Sequence, residues 1–98
     1  MWGMIVRITT VGRKRDEMVS KLRTAATEMP GCLSYVVAKD TSHEDVLWVT
    51  EIWESQAKHE ASLVLPQVRM AMAHVRPLVS RFERVAVTEP IWWPGMKG

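Results

Sequence analysis

Hydrophobic and polar positions alternate from Met4 to Thr10. Met4, Val6 and Ile8 fall on one side of the chain, and Ile5, Arg7 and Thr9 on the other. Period two in a β-branched run predicts a strand. Gly12 ends it. From Arg13 to Met29 the period lengthens: Met18, Leu22, Ala25 or Ala26, and Met29 recur every three or four residues, which predicts a helix. Pro30-Gly31 stops that helix. Cys32 to Lys39 returns to period two, with Leu33, Tyr35 and Val37 opposite Ser34, Val36 and Ala38. Residues 40–45 are polar and predict a hairpin loop. Val46 to Trp53 is a third strand, apolar on both faces, so both faces should be covered. Ser55 can cap a helix from Gln56 to about Ser62. Pro66 opens another helix at a position where proline is tolerated. Val68, Met72, Val75 and Leu78 or Val79 form its apolar stripe. Pro77 should kink or end it. Phe82 to Thr88 is a fourth strand, and residues 90–98, with Trp92-Trp93-Pro94-Gly95, are a tail.

The order β-α-β-β-α-β is the split βαβ pattern. It predicts an α+β, ferredoxin-like fold: a four-stranded antiparallel sheet with helices on one face. Such a sheet leaves its other face open, yet the third strand puts Trp48 on one side and Trp53 on the other. A large exposed apolar patch marks an interface. The pattern therefore predicts a homodimer in which two sheets pack into a β-barrel, with the Trp92-Trp93 tail as an arm across the partner. Residues 1–98 are expected to form one domain, with a core at about 3–90.

Composition narrows the function. The chain has 98 residues, 47% of them hydrophobic and 24% charged, which is ordinary for a globular domain. Thirteen basic against eleven acidic residues, with a net charge of +2, is too even to imply nucleic acid or a membrane surface as partner. The cluster Arg13-Lys14-Arg15 is followed at once by Asp16-Glu17 and reads as a solvated helix start. One cysteine, Cys32, excludes an internal disulfide framework and a cysteine-cluster metal site. No apolar run approaches the ~20 residues of a membrane span, and the first ten residues carry no cleavage pattern, so the expected location is cytoplasmic. Five Trp and seven Met residues stand out. Both types suit interfaces and adaptable ligand pockets as well as cores.

Glu51-Ile52-Trp53-Glu54-Ser55, followed by Ala57, His59, Ser62-Leu63 and Pro66, resembles the antibiotic biosynthesis monooxygenase family. Pro30-Gly31-Cys32-Leu33-Ser34-Tyr35 is similar to that family's helix-to-strand junction. Arg76-Pro77-Leu78 and Thr88-Glu89-Pro90 look like one bacterial branch of it. The resemblance spans about residues 3–90. It implies a dimeric α+β barrel and oxygenation of an aromatic polyphenol or quinol by dioxygen, without metal, flavin or haem. A related haem-degrading branch shares Trp-Glu-Ser. Where that branch carries a second Trp and an axial His, this chain has Leu63 and Met72, and Arg7 stands where an Asn belongs, so haem degradation is disfavoured. The quinol-oxygenating branch often has an Asn where this chain has Val49. A small-ligand-binding or stress-response dimer without turnover, and an isomerase or lyase using the same pocket, are the alternatives.

Such oxygenation needs a dry cavity, a proton acceptor and a donor for the anion or peroxide. Trp53 shares a strand face with Glu51 and Val49, as a pocket wall or as plain core. Glu51 is a carboxylate among apolar neighbours; it is either a tuned proton acceptor or the partner of Arg7 or Arg84. His59 occupies the family's common His position, and imidazole titrates near neutrality. The expected catalytic residues are His59, Trp53 and Glu51. The expected substrate contacts are Tyr35, Met70, Met72, His74 and Arg7, around a pocket between the helix-facing side of the sheet and the helices at 55–80. His43 reads as a solvated loop residue, and Cys32 as a small buried apolar one.

Overall fold

The computed structural model describes residues 1–26 and 29–96. Its elements are β1 (Trp2–Thr10), α1 (Arg15–Ala25), β2 (Cys32–Lys39), β3 (Val46–Trp53), α2 (Gln56–Ser62), α3 (Pro66–Val75), a 3-10 turn (Arg76–Leu78) and β4 (Val79–Thr88). The four strands form one antiparallel sheet in the order β2-β3-β1-β4. This is the ferredoxin-like α+β fold that the element order predicts.

Several boundaries differ from the sequence expectation, beginning with β1, which starts at Trp2 rather than Met4. The first helix begins at Arg15, because Arg13 has φ 64, which no α-helix accommodates. It has ended before Met29, which is not helical; Thr27 and Glu28 lie outside the described residues. Pro77 ends α3 as expected, but the chain turns into β4 at once, so Val79 is a strand residue rather than part of the helix stripe. That stripe is Val68, Ala71 and Val75, with Ala71 where Met72 was expected.

The core lies between the helices and one face of the sheet. Central strands β1 and β3 pair Trp2 with Trp53, Met4 with Glu51, Val6 with Val49, and Ile8 with Leu47, and directly paired residues share a face. Met18 and Leu22 of α1, and Val75 and Leu78 at the end of α3, close over Met4, Val6 and Ile8. Arg15 is more than a solvated helix start. Its Nη1 donates to the carbonyl oxygens of Asp40, His43 and Val46 at 3.2, 2.9 and 3.4 Å, tying α1 to the β2–β3 hairpin. Within that hairpin Asp40 accepts the Trp48 indole N–H at 2.8 Å and the backbone N–H of Ser42 at 2.8 Å. These bonds to the ionised form hold its carboxyl well below the usual range.

The other face carries Ile5, Arg7, Trp48 and Ile52, all half-buried in the single chain. Arg7 Nη1 pairs with Glu83 Oε1 at 2.9 Å, Arg81 Nε adds a second contact to that oxygen at 3.2 Å, and the Arg7 guanidinium lies 6.0 Å from the Trp48 ring centre. Beyond β4, Ile91 and Trp92 are 83% and 73% exposed. No helix among the described residues is long and apolar enough to cross a membrane.

Candidate active site

A cavity of about 540 Å³ opens between the helix-facing side of the sheet and the helices. Its strand side is made by Met4, Tyr35, Glu51, Trp53, Phe82 and Arg84. Its helix side includes Leu22 and Ala25 of α1, His59 and Ser62 of α2, and Val68 and Met72 of α3. The walls are mostly apolar with a few polar groups, the usual make-up of a small-molecule site.

The polar groups converge at one end. Glu51 and Trp53 are two residues apart on β3, so both point to the helix side. The Trp53 indole N–H donates to Glu51 Oε1 at 3.0 Å. His59 Nε2 lies 4.0 Å from that same oxygen. The imidazole is enclosed by two indoles: it stacks on Trp2 at 4.8 Å between ring centres, tilted by 27°, and meets Trp53 edge-on at 5.3 Å. Trp53 and His59 are only 1% and 7% exposed.

Local structure fixes the imidazole there. Ser55 caps α2, its Oγ accepting the Lys58 N–H at 3.2 Å. Ser62 Oγ donates to the His59 carbonyl at 2.6 Å, one turn further on. The entry to α2 is tight. Gly31 has φ +84, and a Cβ built there would stand 2.7 Å from Lys58 Cβ. The Gly31 carbonyl accepts the Glu54 N–H at 2.9 Å, so the start of β2 is tied to the corner between β3 and α2. Glycine is needed at this turn for both conformation and clearance.

Burial sets the protonation states. Desolvation raises the Glu51 pKa above its ordinary value; the Trp53 hydrogen bond and the Arg84 charge oppose this and do not cancel it. Desolvation lowers the His59 pKa, and the Arg84 cation lowers it further. The pair therefore favours a neutral imidazole beside a carboxyl that holds its proton unusually well. Tyr35, directly across the sheet from Glu51, has its phenol raised by burial and then by the Glu51 charge, so it is a neutral donor at physiological pH.

The structure thus gathers His59, Trp53, Glu51, Tyr35 and Met72 around one cavity. Met70, His74 and Arg7 are not on it. Met70 is 66% exposed, and both Met70 and His74 lie on the face of α3 away from Val68, Ala71 and Val75. Arg7 belongs to the opposite face of the sheet, where Glu83 pairs with it, so it is not the partner of Glu51. Trp2 was missed as a site residue; Arg84, expected only as a possible partner of Glu51, lines the cavity and its charge acts on Glu51. Among the described residues no three His, Cys, Asp or Glu side chains gather closely enough to hold a metal ion.

The sequence profile of the antibiotic biosynthesis monooxygenase family matches residues 1–74. No curated protein matches the sequence. Among solved structures, one named for that family from Chloroflexus aurantiacus J-10-fl is 40% identical, with 98% of each chain covered and a TM-score of 0.93. Another of that name, from Nitrosomonas europaea, is 11% identical, covers 94% of this chain and 100% of its own, and has a TM-score of 0.83. SnoaB, a cofactor-independent oxygenase from Streptomyces nogalater, is 17% identical over 97% of each chain, with a TM-score of 0.77. With the profile match over residues 1–74 and the 40% identity over 98% of the chain, the chain belongs to the antibiotic biosynthesis monooxygenase family.

Proposed function

We propose that this protein is a cofactor-independent monooxygenase that oxidises an aromatic polyphenol, quinol or anthrone-type carbon acid with dioxygen. One observation carries it: a buried imidazole, set between two indoles and 4.0 Å from a carboxyl oxygen, on the wall of a mostly apolar cavity of about 540 Å³. The family and the name of SnoaB support the same reading.

His59 Nε2 accepts the proton from the acidic carbon or phenol of the substrate. Burial lowers its pKa, which favours the neutral base near pH 7, and Glu51, when ionised, stabilises the imidazolium that forms. Arg84, whose charge already acts on both groups, and the neutral Tyr35 phenol stabilise the resulting anion. The carbanion passes its electron pair to dioxygen, a carbon–oxygen bond forms, and the peroxide takes up the proton. Loss of the second hydrogen from that carbon breaks the oxygen–oxygen bond. One oxygen atom remains as a ketone and the other leaves as water, so the substrate is the reductant. The half-exposed Ile5, Trp48 and Ile52 supply an apolar surface on the other face, and we place a second copy of the chain there.

In an oxygen electrode, purified protein treated with chelator should consume oxygen when anthrone is added. His59→Ala should lower that rate by about 10²–10⁴-fold, the usual contribution of a positioned base. Consumption that requires added flavin or haem would contradict the proposal.

A further inference from the structure

Trp2 opens β1, where its Cα partner on β3 is Trp53. Directly paired residues share a face, so both indoles rise on the helix side of the sheet. They meet the same imidazole differently. Trp53 meets the His59 ring edge-on and lines the cavity with it. Trp2 lies against a flat face of that ring, 4.8 Å between centres, and is not among the described residues that line the cavity. Trp2 is half-buried and keeps part of its own surface in solvent, whereas the His59 beneath it is only 7% exposed. The bonds made by Ser55 and Ser62 fix the backbone of α2 around His59. They leave the rotation of the imidazole to whatever packs on it. The two indoles, at 27° and 69° to the ring, close two different directions.

We propose that Trp2 is the positioning residue of His59: from outside the cavity it covers the back of the imidazole, keeps bulk water off it, and holds Nε2 beside Glu51. The kinetic part of this rests on His59 being the base of the proposed function; the covering itself does not. The groups that act on the ring are Arg84 from β4, Glu60 on α2 and, 4.0 Å away, Glu51 from β3. Tyr35 from β2 and Arg76 after α3 line the cavity on which the ring opens. A substitution at Trp2 alters none of them, so a change in the titration of His59 reports the cover. Burial is the largest cause of the lowered His59 pKa, and uncovering the ring should raise it towards 6.5. An aromatic face also attracts a cation, and losing that attraction would lower the pKa instead. The two effects have opposite signs, so one measurement separates them.

The test is a proton NMR titration of the His59 ring, its signal assigned by its loss in His59→Ala. The variants Trp2→Phe, Trp2→Leu and Trp2→Ala cover progressively less of the imidazole, and the His59 pKa should rise in that order. Should Trp2→Ala fail to fold, the order of the Phe and Leu variants decides in its place. A pKa that stays the same across the series, or falls, would overturn the proposal. The second readout is oxygen uptake with anthrone. In Trp2→Leu, kcat should drop by at least about tenfold, within the ~10²-fold that a 1 Å misplacement of a catalytic group can cost. KM should hold, because Trp2 lies outside the cavity, and the acid limb of the pH profile should move up with the His59 pKa. Trp2→Phe, which keeps an aromatic face on the ring, should recover most of the lost kcat. A raised KM at constant kcat would make Trp2 a ligand contact, and an unmoved acid limb would make it packing alone; either result overturns the assignment. If the wild type consumes no oxygen with anthrone, the NMR series still decides on Trp2, and only the oxygenase reading falls.

Discussion

Glu51 and His59 respond to pH in opposite directions, and the difference is measurable in stability. The native Glu51 carboxyl has a raised pKa, so between its ordinary value of 4.5 and the raised one the folded chain binds more protons than the unfolded chain. Stability from this group therefore falls as pH rises through that window, and the cost of ionising it in place is complete above it. Glu51→Gln keeps an acceptor for the Trp53 N–H and removes the charge. It should match the wild type at about pH 4 and be the more stable of the two at about pH 8, read from urea midpoints. A variant that gains nothing on going to high pH would show that Glu51 is not strained by burial. His59 works the other way: its pKa is lowered, so stability is lost as pH falls below 6.5. Alternation along β3 made Glu51 and Trp53 legible as neighbours in the sequence. Trp2 was not legible, because Gly3 interrupts the run and hides the strand's first residues. Gly3 is there because a side chain would strike Thr88 Oγ1 and come 3.0 Å from Pro90. Arg84 was legible as a possible partner of Glu51, but the choice between it and Arg7 was not: the register of β4 against β1 shifts between Ile5 and Val6, which reverses the side-chain parity counted back from Thr88 and puts Arg84 on the cavity face.

At the scale of elements, the seven-residue helix α2 is too short to hold itself and depends on its ends. Ser55→Ala removes the cap and should cost about 1 kcal/mol of stability. Gly31→Ala should cost more than ~1 kcal/mol, since it adds backbone strain at φ +84 and a clash with Lys58 under the same helix. Urea denaturation of both variants checks the order; a Gly31→Ala chain as stable as the wild type would mean that the β2–α2 corner is loose. The order of elements along the chain, the two short helices and the Pro77 stop were readable from periodicity and from Pro and Gly alone. What periodicity could not supply was the rotation of α3. Two stripes one residue apart, through Ala71 or through Met72, fit its apolar positions equally well. Packing against α1 and the sheet selects Ala71, which turns Met70 and His74 away from the core and leaves Met72 at its edge.

At the scale of the molecule, the face bearing Ile5, Trp48 and Ile52 and the exposed Ile91 and Trp92 are apolar surface that the single chain leaves uncovered. Sedimentation equilibrium at micromolar concentration should give about twice the 11.2 kDa chain mass. A persistent monomer would contradict the barrel assembly. The assembly matters to the chemistry only if the cavity oxygenates its ligand, and one measurement addresses that most directly. The chelator-treated protein is given isotopically labelled dioxygen and anthrone, and the product is weighed by mass spectrometry. One labelled oxygen atom per product molecule is expected, with labelled water as the other product, and near-complete loss of this incorporation in His59→Ala. Substrate converted without label would mean that the buried imidazole moves protons and does no more, and the oxygenase assignment would fall.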